Sequence, residues 1–418
     1  MSKFSSNCED MNTTPTIGLA SGINISEVKK ITEGSRSIWI DWLRVAAIFF
    51  VIIVHSTEPF YLGGEGSLIL SKSDAFWVSF FDSFARACVP LFIIGSSYLQ
   101  FPLHYNTKEF FLRRAIRILI PFAVWTGVYA FIWGEPIENF RNLLLNFNYA
   151  AGHLWFVYML LGIYLLMPML SPWAEKVSRN ELLFYLSICL FTSFIPFIRE
   201  ISSGDSSYIT GPSGIPAFAK YPLWGECSWN SYGVFYYLSG FIGYILLGLY
   251  IKRFVGIRHK GKSLLSAILT WMAGFAISFG GFYWLVNHTA DGVFPIEGSI
   301  NLAVLWETPW FYDSTGVVLM AIGWIFMFRR INAGGKWYSK LIFPLAKASY
   351  GVYLCHMIIL AYVSQLIREW LGTGADGIIG FWTTPAEIVL TAVLTFTLAS
   401  AFSHLVGKIP GIGKYLMG

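Results

Sequence analysis

An arginine at position 44 and a histidine at position 55 stand in the apolar run that opens the body of the chain, WIDWLRVAAIFFVIIVHSTEPF (39–60). Titratable side chains at membrane depth cost roughly 2.5–3.5 kcal/mol each on insertion scales, so they are seldom kept there without a task. Eleven helical residues return to within roughly 20° of the same face after a rise of about 16 Å. One stripe therefore carries a fixed cation toward one end and a group that changes protonation near neutral pH toward the other. That layout suits chemistry that grips an anionic reactant on one side and acts on something at the other. A snorkelling arginine with an unrelated interfacial histidine is the alternative reading. Glu58, three residues beyond His55, is close enough to hold the imidazole in one tautomer, unless it is simply solvated at the interface. His55 and Glu58 are the candidate catalytic residues.

Other polar groups recur inside apolar runs. FFLRRAIRILIPF carries Arg113, Arg114 and Arg117. Basic residues at a span's inner end set topology, yet Arg117 lies a turn deeper than topology requires. The i,i+3 spacing predicts a shared face for Arg114 and Arg117, and arginine forks suit bidentate grip on phosphates. Asp82 and Arg86 at i,i+4 are expected to pair, with Arg86 also a candidate for lining a channel. His153 with Trp155, and His356, are the remaining candidates for contact with a second substrate; their bland readings are an interfacial aromatic belt and a packed core histidine. The five cysteines (Cys8, Cys88, Cys189, Cys227 and Cys355) show no C-x-x-C spacing, so neither a disulfide framework nor a metal site is expected.

The elements that must position these residues are transmembrane helices. With 55% hydrophobic, 18% aromatic and only 13% charged residues over 418 positions, and a mean hydropathy of +0.57, a soluble domain is excluded. Runs of about 20 apolar residues predict an all-α polytopic integral membrane protein with about ten spans, centred near Phe49, Pro90, Phe122, Leu161, Cys189, Gly240, Gly274, Met320, Cys355 and Leu394. Lys and Arg then concentrate in alternate loops, which places both termini in the cytoplasm. The net charge of +5 is this positive-inside bias and implies no nucleic acid. Residues 1–37, polar and without an apolar h-region, read as a disordered cytoplasmic tail and not as a signal peptide; 38–406 form the membrane domain and 407–418 a short cytoplasmic tail. The long loop at 199–230 is rich in Gly, Pro, Trp and Tyr, suited either to capping a cavity or to an interfacial belt.

In this setting the chain resembles the membrane acyltransferase-3 family, bacterial proteins that O-acylate surface and secreted glycans. The resemblance rests on Arg, ten residues and His in span one (Arg44, His55), R-x-x-R opening span three (Arg114, Arg117), VPLFIIGSSYL in span two, HLWFVYMLLGIYLLMPML in span four and SYGVYLCHMIIL in span nine. It departs where members carry a Ser-Gly-Tyr turn, here Gly95-Ser96-Ser97-Tyr98. Some members continue into a soluble esterase-like domain, whereas this chain ends about a dozen residues after span ten, so glycan delivery is expected of the membrane part or of a separate glycan-assembly partner.

The resemblance implies an O-acetyltransferase in a bacterial plasma (inner) membrane, among membrane lipids, moving an acetyl or similar short acyl group from cytosolic acetyl-CoA to a hydroxyl of a glycan or lipid-linked sugar. The donor's phosphates would sit against Arg113, Arg114 and Arg117 with Arg44 deeper. His55 would accept the acyl group or deprotonate the acceptor hydroxyl. The competing class is a transporter of an anionic or lipid-linked solute, in which the arginines line a path and His55 relays protons. A transporter favours inverted repeats, and none is evident.

Overall fold

A computed structural model describes residues 37–63, 66–104, 106–133, 149–198, 224–225, 230, 232–256, 261–289, 291–372 and 380–418. The chain divides into Met1–Ser37 and Ile38–Gly418. The expected disordered tail falls outside the described residues except for Ser37, as does the 199–230 loop except for Trp224, Gly225 and Asn230.

Among the described residues, nine helices are long and apolar enough to cross a membrane, beginning with Ile38–Phe60, Lys72–Gln100 and Thr107–Trp133. The protein is an all-helical polytopic membrane protein. The sixth expected span, near Gly240, is not among them and is a broken element: a 3₁₀ turn at Gly233–Leu238 and then a 13-residue helix, Ile242–Phe254. Gly240 adopts φ +69° between them, a left-handed conformation that ends helical propagation. The helical piece alone falls short of the roughly 20 residues a bilayer needs.

Backbone approach between helices rests on small residues. Helix α1, Gly261–Thr289, crosses helix α2, Thr315–Phe328, where a Cβ on Gly274 would lie 2.5 Å from the Gly316 carbonyl oxygen. Gly323 faces Trp271 and the Ala267 carbonyl in the same way, at 2.5 and 2.8 Å. Close packing of this kind drives helix association in lipid, where no hydrophobic effect separates helix from solvent.

At the end of the bundle that holds His55, the chain leaves the helices. Strand β1, Gly66–Ile69, pairs antiparallel with strand β2, Ile296–Ser299, with Ser67 opposite Gly298 and Leu68 opposite Glu297. The hydrophobic period of the sequence gave no sign of this sheet. Beneath it Tyr61, Ile69, Val78, Phe282, Trp306 and Trp310 form a second apolar cluster, with Phe282 stacked on Trp310 at 3.7 Å. This cap holds the connections at 61–63, 66–71 and 291–314, and so the polar residues they carry.

Candidate active site

Arg44 and His55 share the unbroken helix Ile38–Thr57, so their common stripe is kept. The helix stops because Pro59 lies in the following 3₁₀ turn, Glu58–Phe60, where a residue without an N–H cannot continue the α-helical ladder. That turn delivers the Glu58 carboxylate to the imidazole: Oε1 is 2.8 Å from Nδ1 of His55. A carboxylate only accepts, so Nδ1 carries a proton, and in the neutral ring the lone pair is then on Nε2.

Two further imidazoles join it. The ring of His356 lies 5.3 Å from that of His55 and 5.2 Å from that of His153, which is 6.5 Å from His55. His356 belongs to helix α3, Phe343–Leu371, and is fully buried. Its Nδ1 donates to the Tyr353 carbonyl at 2.7 Å, leaving Nε2 as a lone pair that is buried without a hydrogen-bond partner among the described residues. His153 sits in the 3₁₀ turn Tyr149–Leu154, also buried, with its own Nε2 unmatched. The Tyr353 hydroxyl donates to the His153 carbonyl at 2.7 Å, and the Tyr129 ring lies 4.7 Å from the His153 imidazole. Tyr353 thus organises both partners, one through its hydroxyl and one through its carbonyl. Among the described residues no three His, Cys, Asp or Glu side chains are placed to hold a metal.

A chain of polar contacts continues sideways. Thr57 donates to Asp82 Oδ2 at 2.9 Å, and Asp82 Oδ1 meets Arg86 Nε at 2.7 Å. Arg86 lies over Trp310, its Cζ 4.9 Å from the ring, and its Nη2 stands 3.9 Å from Glu307 Oε1. The Tyr61 hydroxyl donates to the same Glu307 oxygen at 2.6 Å. Arg86, Glu307 and Trp310 line a cavity of about 270 Å³, with Trp155, Phe241, Tyr312 and Asp313. Trp155 is stacked on Tyr312 at 5.4 Å, and it follows His153 by two residues at the junction of that 3₁₀ turn with the helix Trp155–Lys176.

The other end of the Arg44 stripe is basic. Helix Thr107–Arg114 passes into a π turn at Ala115–Leu119. Arg114 is half-buried, hydrogen-bonded to Gln100 and held over the rings of Phe110 and Tyr164, each 5.2 Å away. Arg44 and Arg114 both reach Tyr164 electrostatically. Arg113 and Arg117 are exposed, and Arg113 pairs with Glu109 at 2.6 Å. The structure therefore gathers His55, Glu58, His153 and His356 at one end, places Arg86 and Trp155 in an adjoining cavity, and puts Arg44 with Arg114 at the far end.

Sequence reasoning missed Tyr353, Glu307, Tyr312 and Asp313 as site residues. The signal for the last three was the run WETPWFYD at 306–313, dense in aromatics and acids before an apolar span.

A family model described as an acyltransferase domain, that of the acyltransferase-3 family, matches residues 37–404. No curated protein and no solved structure matches the chain.

Proposed function

The chain belongs to the acyltransferase-3 family, and from that premise we propose that it moves an acetyl or other short acyl group from CoA to a hydroxyl of a surface or exported glycan. The observation that carries this reading is the pairing of His55 with Glu58 beside two buried imidazoles, about three helical turns along one helix from Arg44. In it the Arg44 end faces the cytoplasm of a bacterial cell and the His55 end faces outward, an orientation that the Lys- and Arg-rich loops support.

Arg44 and Arg114 supply positive charge for the donor's phosphates, with the exposed Arg113 and Arg117 at the approach. At the opposite end, Nε2 of His55 takes the proton of the acceptor hydroxyl while its oxygen attacks the thioester carbonyl. The carbon–sulfur bond breaks, and the imidazolium returns the proton to the departing thiolate. In the other route, Nε2 attacks the thioester carbonyl and the carbon–sulfur bond breaks to release the CoA thiolate; the acceptor oxygen then attacks the acyl carbon, the Nε2–acyl bond breaks, and the hydroxyl proton passes to the thiolate. Either way Glu58 serves by fixing Nδ1 as donor and by stabilising the cationic ring.

Purified protein supplied with acetyl-CoA and a glycan acceptor is expected to release free CoA. No release above that of an unrelated membrane protein would return the chain to the transporter class.

A further inference from the structure

We propose that the cavity beside the histidine cluster is a subsite for an uncharged sugar ring, and that its carboxylates exclude acidic sugars. The proposal deepens the glycan reading above, but sugar binding here does not depend on acyl transfer taking place.

The walls suit a pyranose. Trp155 and Tyr312 lie nearly parallel, 29° apart, and both are only partly buried, so the apolar face of a sugar meets flat aromatic surface; Trp310, covered by Phe282 and Arg86, only closes the wall. A volume of about 270 Å³ is just below the roughly 300 Å³ at which small-molecule pockets start, and fits one ring better than an extended chain.

The polar groups are fixed before any ligand arrives. Arg86 is 8% exposed, and its Nη2 is buried with no hydrogen-bond partner among the described residues. A buried guanidinium nitrogen left unmatched is costly, so an oxygen acceptor there is favoured. Glu307 is oriented by the Tyr61 hydroxyl at 2.6 Å, and Asp313 by the Tyr232 hydroxyl at 2.5 Å. Each carboxylate has a second oxygen with which to accept from a sugar hydroxyl.

Charge decides which sugar. The charge of Arg86 is matched by Asp82 at 2.7 Å, so Glu307 and Asp313 leave the lining net negative. A neutral sugar donates to both carboxylates and accepts from Arg86. A uronic acid brings a further carboxylate against two others, and like charges brought together at an interface are strongly disfavoured.

The test is binding without donor, by saturation-transfer NMR and calorimetry on the full chain in detergent. The probes are methyl glycosides of glucose, galactose, mannose and N-acetylglucosamine, with methyl glucuronide and methyl galacturonide as acidic counterparts. At least one neutral glycoside should bind, its acidic counterpart about tenfold more weakly, equivalent to about 1.4 kcal/mol. Trp155→Ala should abolish that binding, and the double variant Glu307→Gln, Asp313→Asn should narrow the gap between neutral and acidic probes. The proposal is overturned if no neutral glycoside binds, if the acidic sugar binds as well, if Trp155→Ala changes nothing, or if the double variant leaves the gap intact. Sugar binding without CoA release would keep the subsite and remove the transferase reading, and CoA release without this sugar selectivity would do the reverse.

Discussion

Oε1 of Glu58 lies 2.8 Å from Nδ1 of His55, on the far side of the ring from Nε2, the nitrogen proposed to do the chemistry. Glu58→Gln keeps an acceptor but loses the charge that stabilises an imidazolium. The turnover rate should fall about 10- to 100-fold with acyl-CoA affinity unchanged, read from steady-state kinetics beside equilibrium CoA binding. An unchanged rate would make the contact structural.

Tyr353 connects its neighbours by two different atoms. Tyr353→Phe removes the hydroxyl that holds the His153 carbonyl and keeps the backbone carbonyl that holds His356. The rate of transfer should drop about tenfold, in line with a lost hydrogen bond of about 1 kcal/mol or slightly more, while the thermal midpoint moves little. Full activity in this variant would take His153 out of the reaction.

The helices were legible because lipid leaves a long apolar run few other choices, and Arg44 and His55 were legible because one helix of known pitch carries both. His55 beside Glu58 was likewise a local relationship. His153 and His356 could be named but not brought together, since about a hundred and three hundred residues separate them from His55 and only tertiary packing sets that distance. The π turn at Ala115–Leu119 was invisible for a different reason: AIRIL has no Gly or Pro to mark a departure from α-helical pitch. So the sequence spacing promised one shared face, and the structure has Arg114 half-buried and Arg117 exposed. The β1/β2 cap joins segments more than two hundred residues apart through four-residue strands, too short for alternation to show.

Under the proposed reading, burial ranks the arginines as donor contacts. Arg114→Lys should raise the apparent KM for acyl-CoA about tenfold, because the fork over Tyr164 and at Gln100 is lost. Arg113→Lys, exposed and paired with Glu109, should change it much less. Equal effects, measured in parallel kinetics, would mean that both arginines act only through surface charge.

Two glycines of one helix should respond oppositely to the same change. Gly274→Ala pushes a methyl into the backbone of Thr315–Phe328 and should destabilise the protein by about 1–3 kcal/mol. At Gly280 an added Cβ meets nothing within 4 Å, so Gly280→Ala should be neutral or slightly stabilising. Thermal unfolding in detergent separates them, and a similar loss in both would refute the tight crossing.

The central claim is that acyl transfer runs through His55. Its most direct test follows radiolabelled acetyl from acetyl-CoA into glycan with the purified wild-type protein and with His55→Ala, alongside acetyl-CoA binding by each. The account predicts that transfer falls to background in His55→Ala while donor binding stays within about twofold, because Arg44, about three turns away, and Arg114 on another helix are untouched. Transfer near the wild-type rate in that variant would contradict it.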